Sequence, residues 1–117
     1  MPRRDTPDRL RDILSAIERI VGYTEGLSYE QFCADARTIE AVQYNFIVIG
    51  EAAAHLAREL TDSHPEIPWA EMRGLRNVVA HTYFAVSSSV LWQTARSDLP
   101  PLVDRLRMLK ELVERSN

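Results

Sequence analysis

The chain has a single cysteine, Cys33, so no disulfide can close within it, and nothing in its cysteine usage calls for an oxidising compartment. Glycine and proline are scarce, with 4 and 6 in 117 residues. That leaves little turn material for hairpins or long loops and favours helices with short connections. No apolar run approaches the ~20 residues a membrane helix needs; the longest, Phe46 to Gly50, is far too short. The leading residues, Met1 to Pro7, are polar and lack the apolar stretch of a secretion signal, so a cytoplasmic protein is expected. An excess of positive charge is missing as well. A formal net charge of -3 and a pI near 5.6 argue against broad, sequence-indifferent binding of nucleic acid. A local basic pocket stays open, because global charge says nothing about one cleft.

What is present is ordinary for a globular protein: 45% hydrophobic and 26% charged residues in 117, one domain's worth. Thr6 as N-cap and Pro7 at the first helical position open a helix whose apolar face carries Leu10, Ile13, Leu14, Ile17, Ile20 and Val21. Gly22 or Gly26 can end it. Ser28 and Gln31 form a capping box for a short turn with Phe32. Asp35 then caps the longest expected element, in which Ile39, Val42, Phe46, Ile49, Ala53, Leu56 and Leu60 recur as a heptad seam. Gly50 sits inside that helix at a cost of about 1 kcal/mol relative to Ala, whose usual compensation is the close approach of a second helix.

Thr61 to Glu66 reads as a loop by composition. Pro68 starts a helix with Trp69 and Met72, which Gly74 bends or restarts, and Leu75 to Tyr83 continues helical or nearly so. Ser87 to Ser89 cap a helix with Val90 and Leu91. Asp98, Pro100 and Pro101 start the last, with a second seam of Leu99, Leu102, Leu106, Leu109 and Val113. No stretch alternates with period two for the length of a strand. The expected architecture is all-α, an antiparallel bundle of about four or five helices in one domain spanning residues 1–117.

Of three histidines, His55 follows Glu51 by four residues, and that pair reads as a helix-surface contact with Glu51 in a structural role. His64 lies in a polar loop. No tight ligand spacing favours a metal. His81 differs by its neighbours: Arg73, Arg76, Asn77 and His81 fall close together, flanked by Trp69, Met72, Tyr83 and Phe84. Asn77 and His81 are four apart and share a helix face, as do Arg76 and Tyr83, seven apart. Arg76 and His81 are separated by roughly 140° on a regular helix. Either Gly74 distorts the turn, or two copies of the segment meet and build a composite site, as in a symmetric dimer.

Arginine and histidine together suit phosphodiester cleavage without a metal. Imidazole can take a proton from a ribose 2′-hydroxyl or give one to the leaving oxygen. A guanidinium fork can hold two phosphate oxygens as charge grows on them. The amide of Asn77 can fix the imidazole tautomer or bind a further oxygen. The plainer reading makes Arg76 and Asn77 surface residues and His81 a packing residue, with Trp69 and Trp92 as core anchors.

The run Arg76-Asn77-Val78-Val79-Ala80-His81-Thr82-Tyr83 resembles the Arg-x4-His-x-Tyr motif of HepT-like toxins, a branch of the HEPN superfamily. Ile49-Gly50-Glu51-Ala52, Ile67-Pro68-Trp69, Tyr83-Phe84, Val90-Leu91-Trp92 and Asp98-Leu99-Pro100 extend the likeness in order, over about residues 8–113. The resemblance implies a homodimeric HEPN-like bundle acting as a metal-independent endoribonuclease without cofactor. Arg76 and His81 would be its catalytic pair, Asn77 an accompanying polar residue and Arg73 an extra phosphate contact. It also implies a toxin–antitoxin pair, in which a minimal nucleotidyltransferase antitoxin attaches AMP to Tyr83. The alternative is a non-catalytic helical dimer that binds a nucleotidyltransferase or nucleotide without cutting RNA.

Overall fold

The computed structural model describes residues 4–81 and 87–116, with the backbone alone over 78–81. Among these residues the chain forms seven α-helices: α1 (Thr6–Thr24), α2 (Tyr29–Cys33), α3 (Ala36–Ala54), α4 (Arg58–Ser63), α5 (Trp69–His81), α6 (Ser88–Gln93) and α7 (Val103–Arg115). A π-helical turn, Thr94–Asp98, and a 3-10 turn, Pro100–Leu102, link α6 to α7. No strand occurs among the described residues. The expected all-α bundle is found, and its long helices are α1, α3, α5 and α7.

Local chemistry sets most of the boundaries. Asp5, rather than Thr6, caps α1: its carboxylate accepts from the Asp8 N–H at 2.9 Å, and Asp8 accepts in return from the Asp5 N–H. A carboxylate at this position satisfies an orphan donor, and Pro7 falls within the first turn, where its missing N–H is harmless. After α1, Gly26 takes φ 80°, a left-handed conformation suited to glycine. Ser28 and Gln31 form the expected capping box on α2. Asp35 caps α3 through the Thr38 N–H at 3.1 Å and the Thr38 hydroxyl at 2.6 Å. Those two bonds, the hydroxyl's first, hold the Asp35 carboxyl below the usual carboxylate range.

The long helix is shorter than its seam. It ends at Ala54, where the His55 Nδ1 donates to the Glu51 carbonyl at 2.8 Å and the His55 N–H turns to the Ala52 and Ala53 carbonyls. The ring thus takes the carbonyl that the next helical N–H would have used. Leu56 is still buried and Leu60 partly so, but they reach the core from the far side of a break. Residues 61–63, expected in a loop, close helix α4 instead. There the Thr61 and Ser63 hydroxyls donate back to the carbonyls of Arg58 and Glu59. The last helix also begins later than expected, at Val103, because the two prolines sit in the preceding 3-10 turn.

The core is one continuous cluster. Leu10, Ile13, Ile17 and Ile20 of α1 meet Val42, Phe46 and Ile49 of α3, all fully buried. Leu106 and Leu109 of α7 and Leu91 of α6 close it from other sides. Each such side chain contributes about 1.5–3 kcal/mol when fully buried. Helix α1 packs on both α3 and α7, and α3 packs on α5, which puts α3 between the bundle's centre and α5. Trp69 and Met72 anchor the start of α5, with the Trp69 indole N–H donating to the His64 carbonyl at 3.0 Å. Trp92 lies against Phe32 and Tyr29, at centroid distances of 5.2 and 6.1 Å. Both tryptophans are therefore packing anchors, as the plainer reading had it.

Candidate active site

The site is built where α5 crosses α3. A Cβ placed on Gly50 would lie 2.9 Å from the Arg76 backbone nitrogen, 3.0 Å from the Arg76 Cβ and 3.2 Å from the Arg73 carbonyl oxygen. Only the missing side chain lets the two backbones approach this closely, which is the compensation expected for a glycine inside α3. Arg73 shares a cavity of about 350 Å³ with Ala53, Ala54, Arg58 and Asp62, whereas Arg76 lies against Gly50 and Glu51. Rising along α5 therefore means falling along α3, so the two helices run antiparallel.

Glu51, next to that contact, accepts a hydrogen bond from the Arg76 Nη1 through its Oε1 at 2.9 Å. The pair spans two helices and 25 residues of sequence. Both side chains are half-exposed, so the guanidinium is anchored on one side and open to solvent on another. Asn77, the next residue, is exposed, and so is Arg73. Arg73 and Arg76 stand one turn apart on α5, which gives a short basic track beside the Gly50 crossing. Among the described residues no group of three His, Cys, Asp or Glu side chains could hold a metal ion, and no helix is long and apolar enough to cross a membrane.

Helix α5 runs without interruption from Trp69 through Gly74 to His81. Among the described residues a Cβ on Gly74 would meet nothing within 4 Å, and this glycine does not break the helix. Positions 76 and 81 thus keep the separation of a regular helix, roughly 140°. Of the two options open in the sequence, distortion at Gly74 is removed. The side chain of His81 lies outside the described residues, as does Tyr83 altogether. The structure thus brings together Arg73, Arg76 and Asn77 on one helix.

Glu51 is the residue that sequence reasoning underrated. Its spacing from His55 suggested a side-chain pair, but His55 binds the Glu51 backbone carbonyl, and the Glu51 carboxylate goes to Arg76. The available signal was its position: a polar residue directly after a helix-interior glycine stands at the edge of a helix crossing.

Comparison with known proteins identifies the family. The model of the family described as "Ribonuclease HepT-like" matches residues 13–109. The chain belongs to this HepT-like ribonuclease family, within the HEPN superfamily that its motif resembles. Among its relatives, "Probable ribonuclease HepT" of Thermococcus cleftensis is 38% identical over 109 residues, covering 93% of this chain and 99% of the relative. "Putative RNase MJ0125" of Methanocaldococcus jannaschii is 33% identical over 116 residues, 98% of this chain and 100% of its own length. No solved structure gives a significant match.

Proposed function

We propose that this protein is a metal-independent endoribonuclease that acts as a homodimer, with Arg76 and His81 as its catalytic pair. The observation that carries the reading is the seat of Arg76. Its backbone is clamped against Gly50 and its guanidinium is held by Glu51 yet remains half-exposed, in a chain of the HepT-like ribonuclease family. The names of its relatives, which describe ribonucleases, support the same substrate class.

The chemistry follows from the residue types. His81 takes the proton of a ribose 2′-hydroxyl, whose oxygen attacks the adjacent phosphorus. The bond to the 5′-oxygen breaks, that oxygen takes the proton back from the imidazolium, and a 2′,3′-cyclic phosphate remains. Arg76 binds the non-bridging oxygens as negative charge builds on them. Asn77 steadies the imidazole or a phosphate oxygen, and Arg73 holds a neighbouring phosphate of the strand. Because one uninterrupted helix separates positions 76 and 81 by roughly 140°, each site takes its arginine from one protomer and its histidine from the other. A two-fold axis then generates two such sites.

Tyr83 comes seven residues after Arg76, a spacing that on a regular helix would share the arginine's face. AMP attached there by a nucleotidyltransferase antitoxin would place a phosphate where the RNA phosphate binds and silence a toxin of this kind. The test of the nuclease is cleavage of RNA in EDTA with a cyclic phosphate end, lost in both Arg76→Ala and His81→Ala. Cleavage that survives either substitution refutes the catalytic assignment. Wild-type protein that binds a nucleotidyltransferase tightly yet cuts no RNA refutes the enzyme in favour of a binding module. For Tyr83, intact mass after incubation with ATP and the nucleotidyltransferase should rise in AMP units, and Tyr83→Phe should remove the gain.

A further inference from the structure

We propose that Glu51 is a positioning residue for Arg76, aiming the guanidinium rather than masking it; this rests on the nuclease reading above. A solvent-exposed ion pair by itself stabilises little and is often mobile. The Glu51–Arg76 pair differs from such a contact in how its two ends are held. Gly50, directly before Glu51, brings the Arg76 backbone nitrogen to 2.9 Å and its Cβ to 3.0 Å from where a glycine Cβ would stand. Both side chains therefore leave from backbones that are already locked together. The backbone of Glu51 has a second restraint, since its carbonyl accepts from the His55 Nδ1 at 2.8 Å.

The contact uses Nη1 of the arginine. A guanidinium is planar, so a hydrogen bond at one nitrogen restricts where the others can point. With Nη1 engaged, the edge formed by Nη2 and Nε is the one left to bind two phosphate oxygens at once. Glu51 thus occupies one corner of the fork, on an arginine side chain that is still half-exposed. The same carboxylate repels an approaching phosphate, so the two possible roles have opposite signs. If Glu51 only masked Arg76, removing it would tighten RNA binding and leave turnover unchanged or faster. If it aims Arg76, removing it must slow turnover even as the repulsion of RNA is relieved.

The experiment is steady-state cleavage of a single RNA substrate by the intact protein in wild-type, Glu51→Gln, Glu51→Ala and Arg76→Ala forms. Thermal midpoints are recorded for each, and rates are expressed per folded molecule. Misplacement of a catalytic group costs up to about a hundredfold, so Glu51→Ala should lower kcat by roughly ten- to a hundredfold. Its KM should stay level or fall. Glu51→Gln keeps one acceptor oxygen and should lose less. Glu18→Gln is the control, because the Glu18–Arg107 pair joins α1 to α7 at 3.0 Å with similar exposure; it should leave kcat and KM unchanged. A folded Glu51→Ala protein with wild-type kcat overturns the proposal, and so does one whose KM falls while kcat holds or rises. Should Glu51→Ala not fold, unchanged kcat in Glu51→Gln with a lowered KM overturns it equally. Wild-type protein that cuts no RNA, or Arg76→Ala that cuts normally, defeats the nuclease reading itself and is told apart by that lane.

Discussion

Gly50 of α3 and Arg76 of α5 meet so closely that any Cβ at position 50 would stand 2.9 Å from a backbone nitrogen. The obstacle is backbone, not the yielding end of a flexible side chain. Replacing a helix-interior glycine with alanine ordinarily stabilises by about 1 kcal/mol. Overpacking a tight contact costs about 1–3 kcal/mol, and here it must push two long helices apart. Gly50→Ala is therefore expected to lower stability, measured by urea denaturation, against the trend that helix propensity alone would set. It should also lower RNA cleavage per folded molecule, because the displaced backbone is that of Arg76.

Trp69 tests whether an aromatic beside the motif packs or stacks on bases. It is buried, and its indole N–H has a partner in the His64 carbonyl. Trp69→Phe keeps most of the apolar bulk but removes the indole donor from a carbonyl that still accepts from the Ile67 N–H at 3.2 Å, so it should cost about 0.5–1.5 kcal/mol of stability. Cleavage per folded molecule should match the wild type. A selective loss of activity with unchanged stability would instead make Trp69 a base-stacking surface.

The Asp35 cap gives a pH dependence with a defined sign. The Thr38 hydroxyl and N–H hold the folded-state carboxyl below its ordinary value. A depressed pKa contributes stability above the unfolded value, about 3.9, and that contribution is lost as pH falls through the lower folded value. Asp35→Asn keeps a good capping side chain but carries no charge. Wild type should melt higher than Asp35→Asn at neutral pH, and the gap should shrink steadily below about pH 4. A gap that stays constant down to pH 2 would show that the charge of Asp35 contributes nothing.

How far the sequence carried depended on the reach of each interaction. The caps at Ser28 and Asp35 were legible because each acts on an N–H three residues ahead. The core face of α1 was legible because its period is local and strict. The end of α3 was not, since it turns on a His55 ring outcompeting a backbone N–H for the Glu51 carbonyl, while the heptad seam continues past it. Gly50 announced a close helix contact but not its partner, and the link from Glu51 to Arg76 crosses 25 residues that no spacing rule spans. Arg76, Asn77 and Arg73 stood out by residue type. Their reading as a candidate ribonuclease site came from the ordered likeness to a family; the match over residues 13–109 shows the family itself.

The continuity of α5 through Gly74 leads to the sharpest test of the composite site. If Arg76 of one protomer works with His81 of the other, a heterodimer of Arg76→Ala and His81→Ala subunits contains one site with both residues lost and one fully intact. Each mutant alone should be inactive as a homodimer. Mixed subunits carrying two different affinity tags, purified through both, should regain about half the wild-type rate, one working site of the two that a two-fold axis provides. If instead both residues of a site come from the same chain, every site in the heterodimer lacks one of them and the mixture stays inactive. The rate of the doubly purified heterodimer therefore decides whether the active site belongs to the segment or to the dimer.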